Sequence, residues 1–291
     1  MRIGTRGSAL ALAQATWVAE RLPGEHELVT ITTSGDRQRA LGDKSRWVTE
    51  LESALLDGRI DLAVHSAKDV PAELADGLEL VAITERADPR DAICGADSLA
   101  SLTPGSRVGT SSLRRAAQVR AAREDVTVVE LRGNVDTRLR KLADRECEAL
   151  VLALAGLERL GRAHDADGVL DELVPAAGQG ALALEARAGE LDAGLAAVSD
   201  ADATACVLAE RALTRALEAS CNTSVGAYAR RIDSERLELC GWVGLPDGSA
   251  WVADRLTGPP NGLGEAVAAR LRAAGAGELL RIASQPGVLA E

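Results

Sequence analysis

Phenylalanine is absent from this chain, and tyrosine and methionine each occur once. Four tryptophans supply nearly all the aromatic bulk, so the cores must be built from Ala, Val, Leu and Ile, whose branched shapes set the packing. The shortage also argues against binding of single-stranded nucleic acid, which relies on aromatic stacking platforms. A formal charge of −11 points the same way, because the chain as a whole repels nucleic acid and anionic membranes. Histidine occurs only as His26, His65 and His164, too few for a histidine-rich centre, and no metal is expected. The five cysteines, Cys94, Cys147, Cys206, Cys221 and Cys240, are widely spaced, odd in number and free of any C-x-x-C pair. They match neither a disulfide framework nor a zinc pattern. Every apolar run is broken by Arg, Asp or Glu before it reaches membrane-spanning length. Met1-Arg2-Ile3-Gly4-Thr5 reads as a strand rather than a secretory leader. A reducing cytoplasm is the expected location.

What is present is ordinary for a globular protein, with 46% hydrophobic and 26% charged residues, which excludes general disorder. The length of 291 residues leaves room for two or three cores. Strands are expected at 2–5, 27–32, 60–65 and 78–84. A helix capped by Ser8 runs to about residue 22, and a second over 46–56 is spaced by Trp47, Leu51 and Leu55 and stops at Gly58. That alternation predicts a largely parallel sheet with right-handed crossovers. The pattern changes at 88–91, and Pro104-Gly105 marks a turn. A second alternating block follows, with strands at 107–109, 127–131 and 149–154 and helices at 112–123, 135–145 and 157–161. Two such blocks predict two lobes with a cleft between them. Residues 175–180 form a Gly-rich link, and 181–186 reads as a strand returning to the first lobe. A helix over 202–218 precedes Cys221. Strands at 225–230, 237–244 and 249–256, with Pro246-Asp247-Gly248 turning between the last two, and helices at 264–274 and 277–283 make a small α+β domain. No internal sequence repeat is visible.

Three constellations can carry chemistry. The first is basic. Thr110-Ser111-Ser112-Leu113-Arg114-Arg115 lies where a strand gives way to a helix, and free N–H groups and the helix dipole favour anions there. Arg132, Asn134 and Arg138 repeat the arrangement, and Arg6 and Ser8 stand at the matching corner of the first block. Such corners lie at the carboxyl ends of parallel strands, where ligands bind. Because Arg grips carboxylates with paired hydrogen bonds, a ligand with several carboxylates is implied. The bland alternative is a set of solvated surface charges. The second is His65-Ser66-Ala67-Lys68-Asp69-Val70-Pro71. Pro71 forces Val70 to be extended, and Asp69 beside Lys68 suits cation stabilisation or proton transfer. A turn salt bridge is the alternative, and His65 reads as a satisfied core histidine. The third is Cys221, set among Ser220, Asn222, Thr223 and Ser224, more polar surroundings than a buried thiol usually has.

Read together, these segments resemble the porphobilinogen deaminase family from end to end. The resemblance rests on Thr5-Arg6-Gly7-Ser8, on Ala63-Val64 with the His65–Pro71 run, and on Asp88-Pro89-Arg90-Asp91-Ala92. It continues through Val108-Gly109 with the Thr110–Arg115 run, Leu131-Arg132-Gly133-Asn134-Val135-Asp136-Thr137-Arg138 and Pro175-Ala176-Ala177-Gly178-Gln179-Gly180-Ala181. It implies an α/β fold with two lobes like those of periplasmic solute-binding proteins plus a small C-terminal α+β domain. The implied division is 1–86 with 177–198, then 87–176, then 199–291. It also implies condensation of four porphobilinogen molecules, with release of ammonia, into hydroxymethylbilane on a dipyrromethane cofactor. That cofactor is joined by a thioether to the cysteine matching Cys221. Asp69 matches the catalytic aspartate. Lys68, Thr110, Ser111, Ser112, Arg114, Arg115 and Arg132 match cofactor contacts, and Arg6, Ser8, Arg138, Arg159 and Lys44 match substrate contacts. Asp36 and Lys44 fall at the edges of the family's cleft-covering loop. The product would pass to uroporphyrinogen-III synthase, and a monomer is expected.

The sequence departs from the family at several points. Ala219-Ser220 stands where Gly-Gly usually precedes the cysteine, and Ser224 stands where Pro follows it. The 36–47 loop is short, and Trp47 replaces a common Phe. The rival expectation is a two-lobed, non-catalytic binding protein for a polycarboxylate metabolite, which would need neither Cys221 nor Asp69.

Overall fold

A computed structural model describes residues 1–32, 48–190, 194–219 and 223–285. Contacts divide the chain into unit 1, Met1–Ala87 with Gly178–Leu208, and unit 2, Asp88–Ala177 with Ala209–Glu291.

Unit 1 is built on five strands: β1 (Arg2–Arg6), β2 (Glu27–Ile31), β3 (Leu62–Ser66), β4 (Leu78–Ile83) and β10 (Leu182–Arg187). Their order is β2-β1-β3-β10-β4. β1 runs parallel to β2 and β3, whereas β10 is antiparallel to both its neighbours. Helix α1 (Ala9–Ala19) starts where Ser8 turns its hydroxyl to the Ala11 N–H, filling an amide that the first turn leaves without a helical partner. α1 covers one sheet face with Ala15 and Val18 against Ile3, Leu62, Val64, Leu182 and Leu184. Helix α2 (Thr49–Leu56) covers the other with Leu51, Ala54 and Leu55 against Ile60 and Ala63. Each such buried Leu or Ile contributes about 1.5–3 kcal/mol.

Unit 2 repeats the plan. Its sheet has β5 (Asp91–Cys94), β6 (Arg107–Thr110), β7 (Thr127–Glu130), β8 (Ala149–Ala153) and β9 (Gly168–Leu170), ordered β7-β6-β8-β5-β9. β6 is parallel to β7 and β8, and β5 is reversed against β8 and β9. In both sheets the reversed strand sits fourth in order, and it is the strand that follows the chain's entry into that unit, after Asp88 for β5 and after Gly178 for β10. The match is one of topology, which a search for sequence repeats does not detect. The helices are α3 (Leu113–Ala122), α4 (Val135–Ala143) and α5 (Leu154–Arg159). α5 begins three residues before its expected start, because the chain turns into it directly from β8. β5 and β9 were not expected at all.

The C-terminal part of unit 2 is an antiparallel meander of β11 (Ser224–Arg231), β12 (Leu237–Gly244) and β13 (Trp251–Gly258). Helix α6 (Ala201–Ala216), of which residues up to Leu208 belong to unit 1, precedes the meander, and α7 (Leu263–Ala273) and α8 (Ala276–Ala283) complete the described chain. Leu213 of α6 and Val267 and Leu271 of α7 close over Gly241 of β12. Trp242 is the one aromatic among the buried core residues of the described chain, as the aliphatic composition requires. The architecture is therefore mixed α/β, with two parallel-rich sheets and a small C-terminal sheet-and-helix part. Among the described residues no helix is long and apolar enough to cross a membrane.

Candidate active site

In unit 1 the carboxyl edge of the sheet gathers Arg6 at the end of β1, Ser8 at the start of α1, and the turn after β3. Gln14 of α1 is buried and donates to the Ser66 hydroxyl at 2.9 Å. Ala67–Asp69 then makes a single 3-10 turn, and Val70 is extended (φ −74°, ψ 127°), as Pro71 demands. The Lys68 ammonium donates to Gln179 Oε1 at 3.3 Å, so the salt bridge within the turn is not what forms. Asp69 is half-buried, and among the described residues no hydrogen bond or ion pair reaches its carboxylate. Behind the turn, His65 Nε2 meets Glu185 Oε2 at 2.8 Å with both groups buried, which makes it the satisfied core histidine expected.

Gln179 is held by a turn only glycines allow. Gly178 and Gly180 have φ of +74° and +93°, the left-handed region that other residues enter at a cost. A Cβ at 178 would lie 2.9 Å from the Ala67 backbone, and one at 180 would collide with the Ala87 carbonyl. Gln179 was not singled out from sequence. Its partner is 111 residues away, beyond any local pattern.

In unit 2 the corner after β6 carries Thr110, Ser111 and Ser112. Thr110 Oγ1 accepts from the Ser112 N–H at 3.2 Å, and Ser112 caps α3 through the Arg115 N–H. Ser111 is exposed. Arg114 and Arg115 are not solvated. Their guanidiniums converge on Asp91, which is fully buried, at 2.8 and 2.9 Å, and Arg114 also donates to the Val174 carbonyl at 2.8 Å. Two guanidiniums thus share one carboxylate beneath the start of α3. Arg114 is held below the ordinary guanidinium range, first by burial and then by its neighbour Arg115. Asp91 was quoted within a motif but given no role, and its burial on an unexpected strand explains why. Arg132 follows β7 and pairs with Glu130 at 2.7 Å. Asn134 caps α4 through the Thr137 N–H at 2.8 Å, and Arg138 lies half-buried on that first turn. Arg159 ends α5, and burial pulls its guanidinium down to about 10 while Glu158 opposes the shift. Cys221, Lys44, Asp36 and Trp47 lie outside the described residues. Ser224, where a proline is usual, opens β11 and donates to the Leu113 carbonyl at 3.4 Å.

Residues 1–194 match the profile described as porphobilinogen deaminase, dipyromethane cofactor binding domain, and residues 204–273 match its C-terminal domain. The chain belongs to the porphobilinogen deaminase family. The porphobilinogen deaminase of Bordetella parapertussis is 48% identical over 96% of this chain and 95% of its own. Those of Chromobacterium violaceum and Deinococcus deserti are both 47% identical, covering 96% and 89% of this chain. These relatives do not favour the receptor expectation. Solved structures overlap only loosely. Immunogenic lipoprotein A of Vibrio vulnificus gives a TM-score of 0.40 and 19% identity over 64% of this chain and 87% of its own, too little to bear on function.

The side chains fit the family's dipyrromethane group. In unit 1 a carboxylate that no described residue bonds suits pyrrole N–H donors, and in unit 2, taken by itself, burial desolvates the Arg159 guanidinium, which strengthens its attraction for a carboxylate. Among the described residues no His, Cys, Asp or Glu cluster could hold a metal ion.

Proposed function

We propose that the chain condenses four porphobilinogen molecules with loss of four ammonia molecules, one water then releasing the product as hydroxymethylbilane, using Asp69 as the catalytic carboxylate and Cys221 as the tether. The dipyrromethane group, when bound, supplies the nucleophilic pyrrole end that is extended. Asp69 accepts hydrogen bonds from pyrrole N–H groups and stabilises the positive charge that develops on porphobilinogen as ammonia leaves. Its open carboxylate is the observation that carries this reading, since a committed ion pair would have spent that charge in the ground state. Arg6, Ser8, Arg138, Arg159 and Lys44 are assigned to the acetate and propionate arms of the substrate. Lys68, Thr110, Ser111, Ser112 and Arg132 are assigned to the cofactor. Arg114 and Arg115, which share Asp91, are assigned to the cofactor as well.

The other thiols are poor competitors for Cys221. Burial pushes Cys94 up to about 12 and raises Cys147 and Cys240, and Cys206 is buried. A thiolate, not a thiol, is the nucleophile. Free cysteines at all four positions accord with a reducing cytoplasm. In this reading the enzyme is a monomer of three domains, divided as the family resemblance implies, and its product passes to uroporphyrinogen-III synthase.

The test combines intact mass with turnover. The purified protein should carry an adduct of two pyrrole units, absent in Cys221→Ser. Asp69→Asn should keep the adduct while losing roughly 10²–10⁴ in rate. An unmodified wild-type protein that binds porphobilinogen without consuming it would restore the receptor reading.

A further inference from the structure

We propose that Gln179 is a positioning residue that docks the Lys68 ammonium away from Asp69, leaving the Asp69 carboxylate open for the reacting pyrroles. This rests on Asp69 being the catalytic carboxylate and adds a device that maintains it.

Lys68 and Asp69 are adjacent on one 3-10 turn, and a lysine stem is long and flexible. An ion pair between them is the arrangement the sequence alone would allow. Instead the ammonium goes to Gln179 Oε1 at 3.3 Å. A neutral amide oxygen takes the N–H without placing a second charge beside Asp69. Gln179 can serve as a fixed post because it cannot drift. It is 1% exposed, and its carbonyl accepts from Arg86 Nε at 2.8 Å. The Gly180 carbonyl accepts from the Ala87 N–H at 3.1 Å, and the Ala67 N–H donates to the Ala181 carbonyl at 3.0 Å. The post and the catalytic turn are thus bonded to each other through the backbone, with Gly178 pressed on Ala67 and Lys68.

The cost of losing the post follows from electrostatics. An ammonium on Asp69 would stabilise the ground-state carboxylate more than the transition state, which raises the barrier. Other charged groups lie on the elements packed around the turn. They are Arg6 at the end of β1, Glu85 and Arg86 after β4, Asp202 at the start of α6, and the His65–Glu185 pair of β3 and β10. All stay constant across neutral substitutions at 179, so a difference between wild type and Gln179→Met reports on Lys68.

The experiment measures kcat and KM for porphobilinogen from pH 5 to 9 on holoenzyme carrying Gln179→Met, Gln179→Glu or Asp69→Asn, each checked for wild-type melting. Gln179→Met should lose about tenfold in kcat with KM within about threefold, and its acid limb should move down by about one pH unit. Gln179→Glu, which still holds the ammonium, should restore most of the rate, and its added negative charge should keep the acid limb from moving down. Should Gln179→Met not fold, Gln179→Asn, whose amide is too short to reach, carries the same expectation. An acid limb that stays put, or a Gln179→Glu variant as impaired as Gln179→Met, overturns the proposal while leaving Asp69 catalytic if Asp69→Asn is inactive. An active Asp69→Asn variant overturns both.

Discussion

Four carboxylates of unit 1 have the same chemistry and different surroundings, and the surroundings decide what each can do. Asp61 accepts from Arg2 at 2.5 Å, and that bond holds it below the usual carboxylate range. Glu185 faces His65 in the interior. Asp69 is left open. Glu52 is the reverse of Asp61: burial raises its pKa first of all, Glu185 adds to the rise, and the hydrogen bond from the Ala75 N–H and the nearby His65 oppose it. A raised folded pKa means the fold disfavours the charged form. The penalty is absent below the unfolded value of about 4.3 and complete once the pH exceeds the folded value. Glu52→Gln keeps an oxygen for Ala75 and removes the charge. Its urea midpoint should therefore come closest to wild type near pH 4 and exceed it at pH 8. A gap that does not widen with pH would show that burial of Glu52 costs nothing.

At the scale of elements, β5 shows what a short strand can hold together. Asp91 opens it and binds Arg114 and Arg115 of α3, while Arg114 and Gln118 bond Val174, with Gln118 both donating to and accepting from that backbone at 2.9 and 2.7 Å. Removing one partner of a buried ionic group leaves uncompensated charge and costs about 3–5 kcal/mol. Asp91→Asn should lower the melting temperature by roughly 10 °C, and calorimetry would show it. A loss under about 2 °C would mean that Asp91 is not the countercharge for the two arginines. None of this was legible in the sequence. β5 has four residues and β9 three, too few to show a period against their flanks. Elements whose signals are local were legible. Ser8 and Asn134 cap the helices they were expected to cap, β12 spans the expected 237–244, and the returning strand β10 sits between β3 and β4. For the site, the corners could be read because a strand-to-helix turn leaves a signature. The pairings at those corners could not, since His65–Glu185 joins residues 120 apart and no periodicity encodes that.

At the scale of the whole molecule, 44 acidic residues against 33 basic ones make low pH the condition that bears on every part at once. Depressed carboxylates occur in both units, and for most of them the leading cause is a hydrogen bond from an arginine: Asp61 with Arg2, Asp88 with Arg90, Asp125 with Arg123, Asp165 with Arg162 and Asp254 with Arg270. Glu148 is drawn down to about 2 by Arg107, which it meets at 2.7 Å. A folded pKa below the unfolded one contributes stability that is present above the unfolded value of about 4 and disappears as pH falls through the folded value. Over the same interval the carboxylates protonate and the net charge turns from negative to strongly positive, so self-repulsion adds to the lost pairing. The chain should therefore hold its fold from neutrality down to about pH 4 and lose it between about pH 4 and 2, as followed by circular dichroism. Glu148→Gln isolates one contribution. At pH 6 it should unfold at lower urea than wild type, and the difference should shrink toward zero as the pH approaches 2. The exposed setting of the pair makes the pH 6 difference small and sensitive to salt, so the trend with pH is the decisive reading. If the difference persists unchanged at pH 2, Glu148 stabilises through packing or hydrogen bonding rather than through its charge.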